Sequence, residues 1–205
     1  MSEVETEQGN YFVSNYPPFS YWNVEQSSAV EEAYGLEPHP ETPLGIYIHI
    51  PYCRKRCHFC YFKVYTDRSA SEIHSYLGAV RRELEILATR PGLRGRKPDF
   101  LYFGGGTPSY LSREQISKLH ADIAALVDLS DAREIAFECE PGTLTPEKLE
   151  TIGAIGVNRL SLGVENFDEK ILELNNRAHR GREIVRAWEA ARKVGFQHIN
   201  IDLIA

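Results

Sequence analysis

Short apolar runs recur along the chain from residue 46 onward. They cover residues 46–50, 100–103, 135–139, 159–164 and 198–204, and most are rich in β-branched or aromatic side chains. Runs of this length and composition are typical of buried strands. We therefore predict five strands at these positions.

Between the runs, apolar residues recur every three or four positions, which is typical of amphipathic helices. Helix start signals precede these segments. They are two capping boxes, Ser69 with Glu72 and Ser112 with Gln115, and the N-cap Thr145 before Pro146. A fourth apolar face, from Ile184 to Val194, is followed by Gly195 as a C-cap. Strands that alternate with helices predict an α/β fold with a parallel sheet, either a barrel or doubly wound.

Composition narrows the class of protein. The chain has 205 residues, of which 42% are hydrophobic, enough for the core of one domain. No apolar run is long enough to span a membrane. The N-terminus is acidic and lacks the apolar core of a signal peptide, so we expect a cytoplasmic chain with reduced thiols.

The net charge of −6 is unevenly distributed. Residues 1–45 contain eight acidic residues and no Lys or Arg, whereas the rest of the chain is nearly neutral. Neither part has the basic patch of a nucleic-acid-binding protein, so we expect no nucleic-acid partner. We divide the chain into a leader, residues 1–43, and a core, residues 44–205.

The leader is acidic but also contains aromatic residues on both sides of Pro17 and Pro18. These aromatic residues are Tyr11, Phe12, Tyr16, Phe19, Tyr21 and Trp22. We expect a strap that packs across the outer surface of the core; the alternative is a lid near the substrate.

Three cysteines carry the chemistry of the core. Cys53, Cys57 and Cys60 have the spacing C-x3-C-x2-C directly after the first predicted strand. Three thiolates can hold three irons of an iron–sulfur cube and leave the fourth iron open to a small molecule. A structural zinc site is the alternative, with His49 or His58 as its fourth ligand. Cys139 lies far along the chain, and we expect it to be a buried free thiol.

Glycines and polar residues follow the predicted strands. Ligands of parallel α/β folds bind at the carboxyl ends of the strands, so we expect these residues to share one active site. They are Gly104, Gly105, Gly106 and Thr107 after strand two, Glu138 and Glu140 at strand three, Glu165 and Asn166 at strand four, and Asp202 late in strand five.

Together these motifs resemble the oxygen-independent coproporphyrinogen III oxidase family of radical S-adenosylmethionine (SAM) enzymes. The resemblance rests on residues 47–53, 102–111, 138–143, 161–165 and 200–204, which occur in the family's order, and it covers residues 44–205. It implies a radical SAM partial (βα)6 barrel, here truncated after the fifth strand.

The resemblance also implies the cofactors, a [4Fe-4S] cluster and SAM. Cys53, Cys57 and Cys60 match the residues that bind the cluster. The positions that match SAM contacts are Tyr47, Phe59, Gly105, Gly106, Thr107, Glu138, Glu165, Arg177 and Asp202. For Arg177, a solvated position on a helix surface is the alternative to a carboxylate-binding role.

The chain departs from the family pattern in three places. Tyr61 and Phe62 follow Cys60 where the oxidases continue Cys-x-Cys, and this Phe resembles the heme-chaperone branch. Glu165 stands where the family usually has Gln, and an ionised carboxylate cannot donate a hydrogen bond. The chain stops at Ala205, before the family's sixth strand and C-terminal domain, so we expect an apolar sheet edge and a fragment of a longer protein.

From this resemblance we expect the protein to convert a propionate side chain of a tetrapyrrole to vinyl by oxidative decarboxylation. The cluster, once reduced by an electron donor such as flavodoxin or ferredoxin, would cleave SAM. Two alternatives remain: a heme chaperone with His49, His58 or His179 as heme ligand, and a radical SAM methyltransferase.

Overall fold

The computed structural model describes residues 23–39 and 41–204. The strands are Gly45–Ile50 (β1), Phe100–Gly105 (β2), Glu134–Cys139 (β3), Arg159–Glu165 (β4) and His198–Leu203 (β5). The helices are Ser27–Gly35 (α1), Ala70–Leu87 (α2), Arg113–Ala124 (α3), Pro146–Ala154 (α4), Glu169–Leu174 (α5) and Gly181–Val194 (α6). Short 3₁₀ turns lie at Val24–Gln26, Pro108–Tyr110 and Pro141–Thr143.

The five strands of the described residues form one parallel sheet in the order β1-β2-β3-β4-β5. This confirms the predicted strands and their parallel pairing. A doubly wound sheet reverses its strand order part-way, and this sheet does not. Sequential order places the crossover helices on one side, so the sheet is part of a barrel.

The two faces of the sheet differ in chemistry. One row in register runs across all five strands and is apolar throughout: Ile48, Phe103, Phe137, Leu160 and Ile199. The first four of these side chains are buried under the helices, and Ile199 packs against them. Alternate positions point to the barrel interior and are polar or small. The interior face therefore carries the candidate chemistry.

The predicted helix signals are present. Ser69 with Glu72 and Ser112 with Gln115 both form reciprocal capping boxes at the starts of α2 and α3. Thr145 caps α4, and Gly195 ends α6 in the left-handed region with φ of 83°.

Part of the leader is helical and contacts the core. The carboxylate of Glu31 on α1 pairs with Arg90 at 2.8 Å, and Glu37, after the end of α1, pairs with Arg94 at 3.3 Å. The aromatic strap predicted for residues 11–22 lies outside the described residues. In the described part of the chain, every helix is too short or too polar to cross a membrane.

β5 forms an edge of the sheet and, among the described residues, pairs with β4. Ile201, Leu203 and Ile204 are 36%, 59% and 47% exposed. The prediction of a poorly covered apolar edge is confirmed for these three residues and wrong for Ile199, which packs against the core.

Candidate functional site

A cavity of about 260 Å³ opens at the carboxyl ends of the strands. It brings together nearly all of the residues that the sequence singled out. These are Cys53, Cys57, Phe59, Cys60, Gly105, Gly106, Thr107, Glu138, Glu140, Glu165, Arg177 and Asp202. The cysteine loop, the glycine turn and the strand-end carboxylates therefore share one site.

The cysteine loop is fixed by backbone hydrogen bonds. The amide of Cys53 donates to the carbonyl of Tyr65 at 3.0 Å, and the amide of Tyr65 donates to Pro51 at 2.8 Å. The amide of His58 donates to the carbonyl of Asn175 at 3.1 Å, which joins the loop to the end of α5. Cys53 is buried, whereas Cys57 and Cys60 are half-buried.

Two thiols receive hydrogen bonds from neighbouring side chains. Thr107 Oγ1 donates to Cys53 Sγ at 3.3 Å, and Arg177 Nη1 donates to Cys57 Sγ at 3.1 Å. Burial raises the pKa of Cys53, and the hydrogen bond from Thr107 opposes that rise. Donors aimed at sulfur fit thiolate ligands, whose negative charge they stabilise.

The thiols are not arranged around a single ion. Among the described residues, no group of three or more His, Cys, Asp or Glu side chains is placed to hold one metal ion. A structural zinc ion needs four ligands around one point, so the zinc alternative has no ligand set. An iron–sulfur cube spreads its thiolates over separate irons, so three cysteine thiols, two of them with hydrogen-bond donors, suit that group chemically. His58 is engaged elsewhere, with Nδ1 2.7 Å from the carbonyl of Leu174.

The glycine turn packs directly against the cysteine loop. The amide of Gly106 donates to the carbonyl of Ile50 at 2.8 Å. A Cβ at Gly106 would lie 2.9 Å from Cys53 Sγ and 3.0 Å from the carbonyl oxygens of Ile50 and Tyr52. Gly105 has φ of 114°, a conformation that side chains rarely adopt. The turn therefore needs glycine at both positions.

Glu138 and Glu165 contribute negative charge to the cavity. Burial raises the pKa of Glu138, and the charges of Asp202 and Glu165 add to the rise, whereas hydrogen bonds from Tyr102 and Gly105 oppose it. Burial likewise raises the pKa of Glu165, against the opposing charge of Arg177. Glu165 has φ of 66°, at a bulge in β4. A cationic ligand would relieve this concentration of negative charge.

Arg177 lies among these groups. It is only 8% exposed, so the alternative of a solvated arginine on a helix surface is wrong. Its Nη2 donates to the carbonyl of Gly163 and lies 3.8 Å from Glu165 Oε1. Its guanidinium carbon is 6.0 Å from the centre of the Phe59 ring. Its Nε is buried and has no hydrogen-bond partner among the described residues.

Tyr47 is a predicted site residue that lies outside the cavity lining, as do Gly104 and Asn166. Its ring stacks on Tyr102 at 5.9 Å, its hydroxyl is 3.0 Å from His49 Nδ1, and it is 52% exposed. Burial of part of the ring, with the charge of Glu138, raises the pKa of Tyr47 to about 12. Asn166 lies in a small adjoining pocket with Phe59 and Arg177.

The structure also shows a buried pair that sequence reasoning did not find. His179 Nδ1 lies 2.6 Å from Glu140 Oε1, and its Nε2 lies 3.2 Å from the carbonyl of Val164. His179 is fully buried, so its two nitrogens are unavailable to heme, and it is excluded as the chaperone's heme ligand. The pairing joins residues 39 positions apart, and no local pattern indicates it. As predicted, Cys139 is a buried free thiol, and burial raises its pKa.

A larger cleft of about 720 Å³ lies elsewhere, between α4 and α6. Its lining includes Glu150, Val157, Lys193 and Phe196, and it contains none of the residues predicted for the site. The chemistry is therefore concentrated in the smaller cavity.

Comparison with known proteins agrees with this geometry. The model of the family described as "Radical SAM superfamily" matches residues 47–205, which include the cysteine loop and every strand except the first two residues of β1. The chain belongs to the radical SAM superfamily. Radical SAM proteins use a [4Fe-4S] cluster and SAM, and these are the cofactors of this chain.

The radical SAM core is similar to two kinds of curated protein. Heme chaperone HemW of Bacillus subtilis is 39% identical over 161 residues, 77% of this chain and 41% of that protein. Oxygen-independent coproporphyrinogen III oxidase of Escherichia coli is 37% identical over 166 residues, 81% of this chain and 36% of that protein. The chain thus spans about two fifths of the length of these relatives.

A solved structure supports the same radical SAM fold. Coproporphyrinogen III oxidase HemN of Escherichia coli superposes with a TM-score of 0.80 at 34% identity, over 94% of this chain and 44% of that one. The expected partial barrel is confirmed by this match and by the five-stranded sheet of the described residues.

Proposed function

We propose that this chain is the radical SAM core of an enzyme of the oxygen-independent coproporphyrinogen III oxidase type. One observation carries the proposal. The Cys53 and Cys57 thiols receive side-chain donors inside a cavity that also holds the glycine turn, in a chain 37% identical to such an oxidase.

The proposed roles follow from the contacts. Cys53, Cys57 and Cys60 would hold the cluster, and Thr107 and Arg177 would stabilise the thiolates. When bound, the reduced cluster and SAM supply one-electron chemistry that removes a hydrogen atom from the substrate. The protein contributes binding, orientation and exclusion of water.

The other cavity residues would bind SAM by charge and shape. Arg177 offers a guanidinium to a carboxylate, and the ring of Phe59 lies beside it. Glu138 offers a carboxylate to an ammonium or to ribose hydroxyls, and Asp202 and Glu165 add negative charge near it. Gly105 and Gly106 leave the backbone open to close approach. Tyr47 would affect SAM binding through its ring contact with Tyr102, because it does not line the cavity.

The proposed substrate is a tetrapyrrole with propionate side chains, coproporphyrinogen III in the oxidase reaction. The propionate loses carbon dioxide, one hydrogen atom and one electron to become a vinyl group. SAM, held by Arg177 and Glu138, would supply the acceptor for the hydrogen atom, and a separate one-electron acceptor would take the electron. We further propose a separate donor such as flavodoxin or ferredoxin that reduces the cluster, and a cytoplasmic location, where thiols stay reduced.

The test is anaerobic reconstitution of the protein with iron and sulfide, followed by reduction and addition of SAM. We expect a thiolate-to-iron charge-transfer band in the absorption spectrum and formation of 5′-deoxyadenosine. With coproporphyrinogen III we expect a vinyl product. Cys57→Ala should abolish the charge-transfer absorption and the formation of 5′-deoxyadenosine. Cys139→Ala should retain both, because Cys139 lies apart from the three proposed ligands. A protein that binds zinc but no iron contradicts the proposal. Formation of S-adenosylhomocysteine without vinyl product indicates a methyltransferase instead.

A heme chaperone is the second candidate function. It is favoured by the 39% identity to the Bacillus subtilis heme chaperone HemW and by Phe62, which lines the cavity. His179 is fully buried with both ring nitrogens engaged, so His49 and His58 are the histidines proposed for heme. Titration with heme distinguishes the functions. A Soret shift at one equivalent that is lost in His49→Ala or in His58→Ala supports the chaperone, and no shift excludes it.

A further inference from the structure

His179 occupies a fully buried position in the connection between α5 and α6, two residues after Arg177. Its Nδ1 faces the carboxylate of Glu140 at 2.6 Å, and its Nε2 faces the carbonyl of Val164 at 3.2 Å. Both of these oxygens are hydrogen-bond acceptors, and they hold the ring from two sides. His179 thus ties this connection to the ends of β3 and β4.

The carboxylate of Glu140 is itself held in place. The backbone amide of Glu140 donates to Ser109 Oγ at 3.0 Å. Oε1 of Glu140 also accepts from the amide of Gly142 at 3.0 Å. Its Oε2 is buried without a hydrogen-bond partner among the described residues. His179 is therefore the side chain that offsets the burial of this carboxylate.

Arg177 needs such an anchor. A long side chain loses rotamer freedom when it is ordered, and an arginine normally keeps its guanidinium in water. Here the guanidinium is drawn into the cavity toward Cys57 and Gly163, with its Nε left unpartnered. The backbone amide of Arg177 adds a bond to the carbonyl of Leu172 at 2.9 Å, which holds the start of the connection. His179 holds the end of the connection nearer to α6 through its contact with Glu140.

We propose that the His179–Glu140 pair is a positioning device for Arg177, which keeps its guanidinium on the Cys57 thiol and directed into the cavity. Neither His179 nor Glu140 touches a reacting atom in this arrangement. The consequence for SAM rests on the proposed role of Arg177 in binding its carboxylate, whereas the immobilisation of Arg177 does not.

Two isosteric variants separate the contacts of His179. The amide nitrogen of Asn replaces Nδ1, so His179→Asn can still donate to Glu140. The amide nitrogen of Gln replaces Nε2, so His179→Gln leaves the carboxylate without its partner. Glu140→Leu removes the acceptor from the other side of the pair, whereas the amide oxygen of a Gln could still accept from Nδ1. His120→Gln on α3 is the matched control, because His120 lies away from the cavity lining.

The first measurement is the NMR signal of the Arg177 Nε–H group in the iron-free protein, assigned by its loss in Arg177→Lys. We expect a slowly exchanging signal in the wild type, His179→Asn and His120→Gln, and rapid exchange in His179→Gln and Glu140→Leu. Dispersed backbone spectra show that each variant is folded. An equally protected signal in both folded disrupting variants overturns the proposal.

The second measurement is SAM affinity of the iron-loaded protein at equal iron content. We expect His179→Gln and Glu140→Leu to weaken binding by about 10-fold to 100-fold, the range found when a partner that orients a binding residue is replaced. In the Arg177→Lys background, His179→Gln should add less than about twofold, because the two residues act through one contact. Full additivity overturns the proposal. A wild type that binds no SAM refutes the proposed function, while the NMR result still decides the positioning of Arg177.

Discussion

The hydroxyl of Tyr102 donates a 2.7 Å hydrogen bond to Oε1 of Glu138, from one strand of the barrel interior to the next. The amide of Gly105 donates to the other oxygen at 3.1 Å. These bonds stabilise the ionised carboxylate against the burial that raises its pKa. The glycine turn and the acidic side of the cavity are therefore joined through one carboxylate.

Removal of the Tyr102 hydroxyl should change the pH dependence of SAM binding. Glu138 binds a cation best when ionised, so affinity should fall as the pH drops through its raised pKa. Tyr102→Phe removes a bond that lowers this pKa and should therefore move the midpoint to higher pH. SAM affinity measured at pH values on both sides of the midpoint tests the shift. Tyr34→Phe on the exposed α1 is the control, and an unchanged midpoint in Tyr102→Phe contradicts the prediction.

Gly106→Ala should prevent cluster assembly. The added Cβ would meet the carbonyl oxygens of Ile50 and Tyr52, which are backbone atoms and cannot move without shifting the cysteine loop. We expect little bound iron per chain after reconstitution. Gly78→Ala is the matched control, because its Cβ meets nothing within 4 Å and α2 gains about 0.5–1 kcal/mol of stability. Normal iron loading in Gly106→Ala would show that the two loops adjust.

The capping box of α2 should make stability depend on acid. Hydrogen bonds from the Ser69 amide, Arg68 and the Ser69 hydroxyl lower the pKa of Glu72 to about 2 from 4.5. A lowered carboxyl pKa contributes stability that is complete above the unfolded value of 4.5 and is lost as the pH falls to about 2.

Ser69→Ala should lower the free energy of unfolding by about 1 kcal/mol near neutral pH and reduce the acid dependence over that window. Urea unfolding at several pH values measures both effects. Ser71→Ala, an exposed position of the same helix, should change stability by less than about 0.5 kcal/mol. Equal effects of the two substitutions would contradict a role for the cap.

Two leucines on neighbouring strands should differ widely in their contribution to stability. Leu162 on β4 is 1% exposed and Leu203 on β5 is 59% exposed. We expect Leu162→Ala to cost about 2–5 kcal/mol, and Leu203→Ala to stay within about 0.5 kcal/mol. Denaturant unfolding compares them. A large loss in Leu203→Ala would show that another segment or partner covers the edge of β5.

Local sequence patterns predicted most of the architecture. The strands are confirmed to within two residues at each end because β-branched runs bounded by polar residues leave few alternatives. Strand order is a property of the whole chain, so the pattern left both a barrel and a doubly wound sheet open. The six-residue helix Glu169–Leu174 was missed because it is too short for periodicity, although Asp168 is its N-cap.

Candidate site residues were found where chain position decides their location, and less well where packing does. Gly106 and Glu138 lie at the cavity because they end parallel strands. Arg177 is buried only because its connection docks on the cysteine loop, and its pattern fits a surface helix equally well. Tyr47 follows the alternation of β1 but turns toward Tyr102 instead of the cavity.

The cysteine loop is held by Tyr65, Asn175 and the glycine turn through hydrogen bonds that involve no metal. Small zinc domains obtain their folding free energy from the ion, and they unfold when it is removed. Here the polypeptide makes those bonds itself, on a sheet with its own apolar core. Loss of iron by oxidation should therefore leave a folded protein that is ready to be loaded again.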